Sequence, residues 1–147
     1  METLSQMFFN GAIMAKVWPF LWAGFGTTLM LSALVIPLGL AGGLAVALAS
    51  AHRSALLRAA VVLYVDFFRA FPPLVLLIFI YFGFPFLSID MPKLAAVALG
   101  FFLNTSSYYG EVFRAGIESI SRGQMEAALS MGLTRRQAYR YIILPQA

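Results

Sequence analysis

The sequence contains no cysteine and a single histidine, His52. That excludes a disulfide framework, a thiol nucleophile, a thiolate metal site and a cluster of histidine ligands. Charge is the second scarcity. Ten Lys and Arg and six Asp and Glu make up 11% of the 147 residues, against about 25% in an average soluble domain. A soluble fold of this size could not clothe its surface with so few charges, so a soluble enzyme and a disordered tail are both ruled out as the default reading. No G-x-x-x-x-G-K-[S/T] phosphate loop is present. Nor is there a Ser/His/Asp or Cys/His set that would argue for catalysis. What is abundant is apolar: 61% of the residues are hydrophobic and 14 are phenylalanine. This is the composition of an integral membrane protein.

Three uncharged runs follow one another. The first, Val17 to Ser50, is 34 residues long, where a span needs about 20. A membrane helix is expected over 24–49, with Pro19 and the Gly24/Gly26 pair in its lead-in. Gly39 and Gly43 form a GxxxG pair, and Ala41, Ala45 and Ala49 repeat at a spacing of four. Either stripe would let another helix approach closely, although any Ala/Gly-rich membrane helix shows such spacings. A cleaved signal peptide is the competing reading. The run is far longer than the usual 7–15 residues, and the charges before it, Glu2 and Lys16, cancel.

The second run, Ala70 to Ile89, has 20 residues and begins beside Pro72-Pro73. A helix starting near residue 55 should be disturbed at these prolines, with the membrane-crossing part at 70–89. Asp66 and Arg69, three apart, share a helix face and can pair. They form either a simple ion pair near the headgroups or part of a substrate path, since ionisable groups near membrane depth are often functional. The third run, Leu94 to Gly110, predicts a span over 94–113. Its Asn104, Thr105, Ser106, Ser107 and Tyr108 are too polar to face lipid all round. Asn104, Tyr108 and Glu111, spaced four and three, line one face. Glu111 either attracts a cationic ligand or pairs with Arg114; the pairing is preferred. Phe67, Phe68 and Phe71 read as helix packing.

Positive charge sets orientation. Arg53, Arg58, Arg114, Arg122, Arg135, Arg136 and Arg140 fall on one side of a three-span arrangement, and only Lys16 and Lys93 on the other. The expected fold is therefore an all-α polytopic membrane helical bundle. Residues 1–17 form an external N-terminal segment, and 114–147 form a cytoplasmic loop. In that loop Ser121-Arg-Gly-Gln124 and Thr134-Arg-Arg-Gln137 both fit a capping box, and Gly132 sits where a helix would end left-handed. This predicts helix (122–131), turn, helix (134–143). The unit also looks like a DNA-binding helix-turn-helix, but no soluble domain surrounds it to present a recognition helix. No nucleic-acid partner is expected.

Glu126-Ala127-Ala128, three residues, Gly132, nine residues, Ile142, one residue, then Leu144-Pro145 matches the "EAA" loop of ABC import permeases at every position. The stretch from Glu111 to Ala128, together with Tyr64–Val75, Ile80-Tyr-Phe-Gly83, Asn104-Thr-Ser-Ser-Tyr108 and Gly26-Thr-Thr-Leu29, resembles the polar amino acid uptake branch of that family. The resemblance covers residues 18–147. There are two departures: Ala70-Phe71 stands where the branch usually has Gly-Thr, and Ser106-Ser107 where it usually has Gly-Ala or Ala-Ala.

The resemblance implies a permease subunit in the bacterial plasma (inner) membrane, coupling ATPase motion to alternating access for polar amino acids. Its partners would be cytoplasmic ABC ATPase subunits, a second permease subunit (identical or not), an external solute-binding protein, the amino acid and membrane lipid. No cofactor is expected in this chain, ATP and Mg being held by the ATPase. Glu126, Ala127, Ala128, Gly132, Leu144 and Pro145 would couple to it, and Asp66, Arg69, Asn104, Tyr108 and Glu111 are the substrate-path candidates. Complete members carry two further helices after this loop, which implies a chain truncated at Ala147. The alternative is a non-transporting remnant that only binds partner subunits.

Overall fold

Helix formation here follows the apolar runs, and the breaks follow proline. The computed structural model describes residues 10–52 and 54–147, and every regular element among them is helical. Residues 1–9, in the segment expected to be external, and Arg53, in the expected positive set, lie outside the described residues. The chain divides into two units, one up to Leu34 and one from Val35 to Ala147.

Helix α1, Gly11–Ser50, has 40 residues and runs through both units. It starts well before residue 24, because Asn10 caps it: Asn10 Oδ1 accepts from the Ala12 and Ile13 N–H groups at 3.1 and 3.2 Å. Pro19 and the Gly24/Gly26 pair thus lie inside the helix, not in a lead-in. In the first unit Trp18, Trp22 and Phe25 stack edge to face along α1, with centroids 5.9 and 5.6 Å apart. Thr27 and Thr28 return their hydroxyls to the Ala23 and Gly24 carbonyls at 3.0 Å, so neither leaves a free donor on an apolar helix.

The second unit is organised around α4, Lys93–Ser119. The buried residues of α1 are Val35, Gly39, Gly43 and Ala47, a single stripe of period four. An added Cβ at Gly43 would come 2.9 Å from the Gly110 nitrogen, and one at Gly39 3.0 Å from Thr105 Cβ. The glycine pair is therefore the seam that brings α1 against α4. The alanine stripe is not: Ala41 and Ala45 are exposed and Ala49 is half-buried.

Helix α2, Ala55–Ala70, is capped by Ser54 Oγ, which accepts from Leu57 N–H at 3.4 Å. It ends at Phe71, in extended backbone as a residue before proline prefers. Helix α3, Pro73–Gly83, then starts afresh with proline at its first turn. The pair α2 and α3, extended by a 3₁₀ turn at Phe84–Leu87, is bent by 99°. Alone among the described helices, α1 is long and apolar enough to cross a membrane, and the bent pair passes the same test if counted as one span. Helix α4 has the length, 27 residues, but buries the polar residues Asn104, Ser106 and Ser107.

The remaining elements are α5, Arg122–Ser130, and α6, Arg135–Ala138, the latter continued by a π turn at Tyr139–Ile143 and by α7, Leu144–Gln146. The π turn precedes Pro145, which has no N–H to give. Leu144 N–H reaches back to Tyr139 O, and Gln146 Nε2 donates to Ile142 O at 2.7 Å. The irregularity keeps these carbonyls satisfied next to a residue that cannot extend an α-helix.

Candidate functional site

Two groups of residues singled out in the sequence come together in space. The first lies where α4 faces the broken end of α2. Pro72 lacks an N–H, so the Phe68 carbonyl loses its helical donor. Asn104 Nδ2 donates to that carbonyl at 3.1 Å, and the Asn104 residue is 6% exposed. One turn on, the Tyr108 ring lies under the Arg69 guanidinium at 5.2 Å, and Arg69 Nη1 is 3.7 Å from Glu111 Oε2. Asn104, Tyr108 and Glu111 therefore share the face expected of them, and that face meets the C-terminal turn of α2.

The pairing of Asp66 with Arg69 does not form. Arg69 turns to the Tyr108 ring and Glu111 instead, where it gains a π face and a carboxylate on a neighbouring helix. Among the described residues Asp66 has no ion-pair partner. The Glu111–Arg114 pairing does form and is bidentate: Nε to Oε1 at 2.9 Å and Nη2 to Oε2 at 2.8 Å. Arg114 also grips Glu118 at 2.9 Å. Asp66, Glu111, Arg114, Glu118 and Arg58 line a cavity of about 410 Å³ whose apolar wall includes Val65 and Ala47.

Below this seam, Tyr64 and Ser106 form an interhelical contact that sequence reasoning missed. Their hydroxyl oxygens are 2.6 Å apart, and Tyr64 also donates to Leu103 O at 3.1 Å. Ser106 and Ser107 are fully buried, and Ser107 returns its hydroxyl to Asn104 O at 2.6 Å. The only sequence signal was polarity inside an apolar run. Phe67 packs against both Phe68 and Phe71 at the end of α2, with centroids 5.1 Å apart in each pair.

The second group is the loop of α5 and α6. Gly132 has φ +86°, a conformation that favours glycine. Around it Leu133 N–H bonds to Ala128 O at 3.1 Å and Gly132 N–H to Leu129 O at 3.0 Å, the paired bonds of a Schellman motif. The capping box at Thr134 is complete: Gln137 N–H donates to Thr134 Oγ1 at 3.3 Å, and Thr134 N–H to Gln137 Oε1 at 2.8 Å. The box expected at Ser121 is absent. Gln124 N–H bonds to the Ser121 carbonyl at 3.1 Å, and the side chain makes no cap. The loop has its own small core of Ala128, Ala138 and Ile143. Ala128 thus points inward, while Glu126, Ala127, Leu129 and Met131 are exposed, Met131 at 80%. Leu144 is half-buried and Pro145 exposed.

Residues 39–147, which carry both groups, match the family model described as binding-protein-dependent transport system inner membrane component. The chain belongs to this family. Among curated relatives of this transport family, it is 39% identical to the probable amino-acid ABC transporter permease protein YckA of Bacillus subtilis, over 97% of this chain and 63% of that protein. It is 37% identical to the putative glutamine transport system permease protein GlnP of Rickettsia typhi, over 87% and 59%. Among solved structures it is similar to one described as an amino acid ABC transporter with histidines. The TM-score is 0.80 at 34% identity, covering 92% of this chain and 63% of that one. The chain thus spans a little under two thirds of the length of these transport-system relatives.

Proposed function

We propose that the chain is the membrane-embedded permease subunit of an ATP-driven importer for polar amino acids in the bacterial inner membrane. The observation that carries the reading is the α5–α6 loop. The Schellman turn at Gly132, the capping box at Thr134 and the core of Ala128, Ala138 and Ile143 make it a preformed unit. It presents Glu126, Ala127 and Met131 outward. Such a unit suits docking on a cytoplasmic ATPase, which would bind ATP and Mg. The family and the names of the relatives support the transport system and its cargo.

In this reading α1, the bent pair α2–α3 and α4 are the three spans, with the N-terminus outside and the loop in the cytoplasm. The excess of arginine in and around the loop supports that orientation. Closure of two ATPases moves the loop as a rigid body and rocks the spans, with a second permease subunit completing the path. Glu126 offers a charged contact, Ala127 a close approach and Gly132 the turn. Ala128 keeps the loop in shape, and Leu144-Pro145 leads the chain out of it.

The substrate path runs beside Asp66, Arg69, Tyr108 and Glu111, with Asn104 holding the backbone behind them. An amino acid carries both an ammonium and a carboxylate. Mixed acidic and basic side chains around a 410 Å³ cavity fit a zwitterion better than an ion of one sign. An external solute-binding protein would deliver it. The test is uptake of labelled polar amino acids in cells with and without the gene. Loss of uptake for one or a few amino acids is expected; unchanged uptake across the whole set would overturn the reading.

A further inference from the structure

Helix α2 stops at a double proline, and what stops it leaves carbonyls without donors. Pro72 and Pro73 cannot supply the N–H groups that Phe68 O and Arg69 O would accept in a continuing helix. In a bilayer such carbonyls must find donors from neighbouring helices. For Phe68 that donor is Asn104 Nδ2, 36 residues away on α4, at 3.1 Å. Asn104 is 6% exposed, so its amide is committed to this backbone contact and turned away from solvent. The residue next to the capped carbonyl is Arg69, whose guanidinium lies over Tyr108 and beside Glu111 on the same face of α4.

We infer that Asn104 is a positioning residue: its side-chain amide caps the open end of α2, fixes the bend between α2 and α3, and so places Arg69 between Tyr108 and Glu111. The bend is set jointly by two features distant in sequence. The prolines open the helix, and the asparagine selects one of the geometries that opening allows. The consequence for transport rests on the substrate path proposed above; the capping itself does not.

The chain has no cysteine, so two spin labels can be placed without background. Leu63→Cys and Phe79→Cys put labels on exposed positions of α2 and α3, on either side of the bend. In the intact protein in lipid, the wild-type background should give one narrow distance. Asn104→Leu, with the same branching and number of side-chain heavy atoms but no donor, should broaden or shift it, the population at the native distance falling by about tenfold for the loss of one buried hydrogen bond. Asn104→Ala, smaller and equally without a donor, should do the same and decides the matter if the leucine variant fails to accumulate. Ser107→Ala removes an equally buried hydroxyl that bonds only within α4 and should leave the distance alone. An unchanged distance in the donor-less variants would overturn the inference, and so would an equal shift in Ser107→Ala. In uptake, the Asn104 variants should raise KM more than they lower Vmax, as displacement of Arg69 requires. Absence of wild-type uptake would count against the transport reading while the distances still judged the cap.

Discussion

Replacing Gly43 by alanine should destabilise the protein, although alanine is the better helix former. In an exposed helix interior the change gains about 1 kcal/mol. At Gly43 the new Cβ would sit 2.9 Å from the Gly110 nitrogen and from the Tyr109 carbonyl carbon, where ordinary contact begins at 3.4 Å. These are backbone atoms of α4, so no side chain can rotate away. The two helices must part by about 0.5 Å or more, a gap at which neighbouring contacts forfeit about a quarter of their dispersion attraction. Overpacking of this kind costs about 1–3 kcal/mol, which exceeds the propensity gain. Gly39→Ala should cost less, because its neighbours are side-chain atoms of Thr105 and Tyr109. Gly24→Ala, with nothing within 4 Å, should be neutral or stabilising. Reversible unfolding in mixed micelles, titrated with SDS, reads all three. Gly43→Ala at or above wild-type stability would refute the claim that α1 and α4 meet backbone to backbone.

Three further outcomes follow from the hydrogen bonds. Thr134→Ala should lose about 1 kcal/mol of loop stability with the capping box, while Ser121→Ala should change little, as hydrogen exchange of the two helices would reveal. Gly132→Ala places a Cβ in left-handed backbone and should cost about 1–2 kcal/mol, seen as faster exchange at Gly132 and Leu133 if the turn is as described. Ser106→Ala should cost about 1 kcal/mol in the same SDS titration, because Tyr64 keeps its bond to Leu103 O; a cost near zero would remove the Tyr64–Ser106 contact from the account.

What could be read from the residues in advance was what neighbours in sequence decide. Gly132 and Thr134-Gln137 carry their geometry within four residues, so the turn and the second cap were legible. Ser121-Gln124 has the same pattern, but its backbone carbonyl took the bond that the hydroxyl was expected to accept. The glycine and alanine stripes of α1 have identical spacing. Only the position of α4 decides that 39 and 43 face inward and 41 and 45 do not. Asp66 and Arg69 were correctly placed on one face, but the guanidinium found Tyr108 and Glu111 on another helix. The work of Asn104 was hidden most deeply, since its acceptor exists only because of prolines more than 30 residues upstream. The family pattern in 126–145 supplied what spacing alone could not.

The central claim is that the α5–α6 loop transmits ATP hydrolysis to the spans. The direct measurement is ATP-driven amino acid uptake together with ATP hydrolysis, in proteoliposomes made from the intact transporter carrying wild-type, Glu126→Arg or Gly132→Pro chains. The account predicts that both variants insert normally, lose uptake, and no longer link hydrolysis to the presence of amino acid. Wild-type uptake and wild-type coupling in both variants would contradict it.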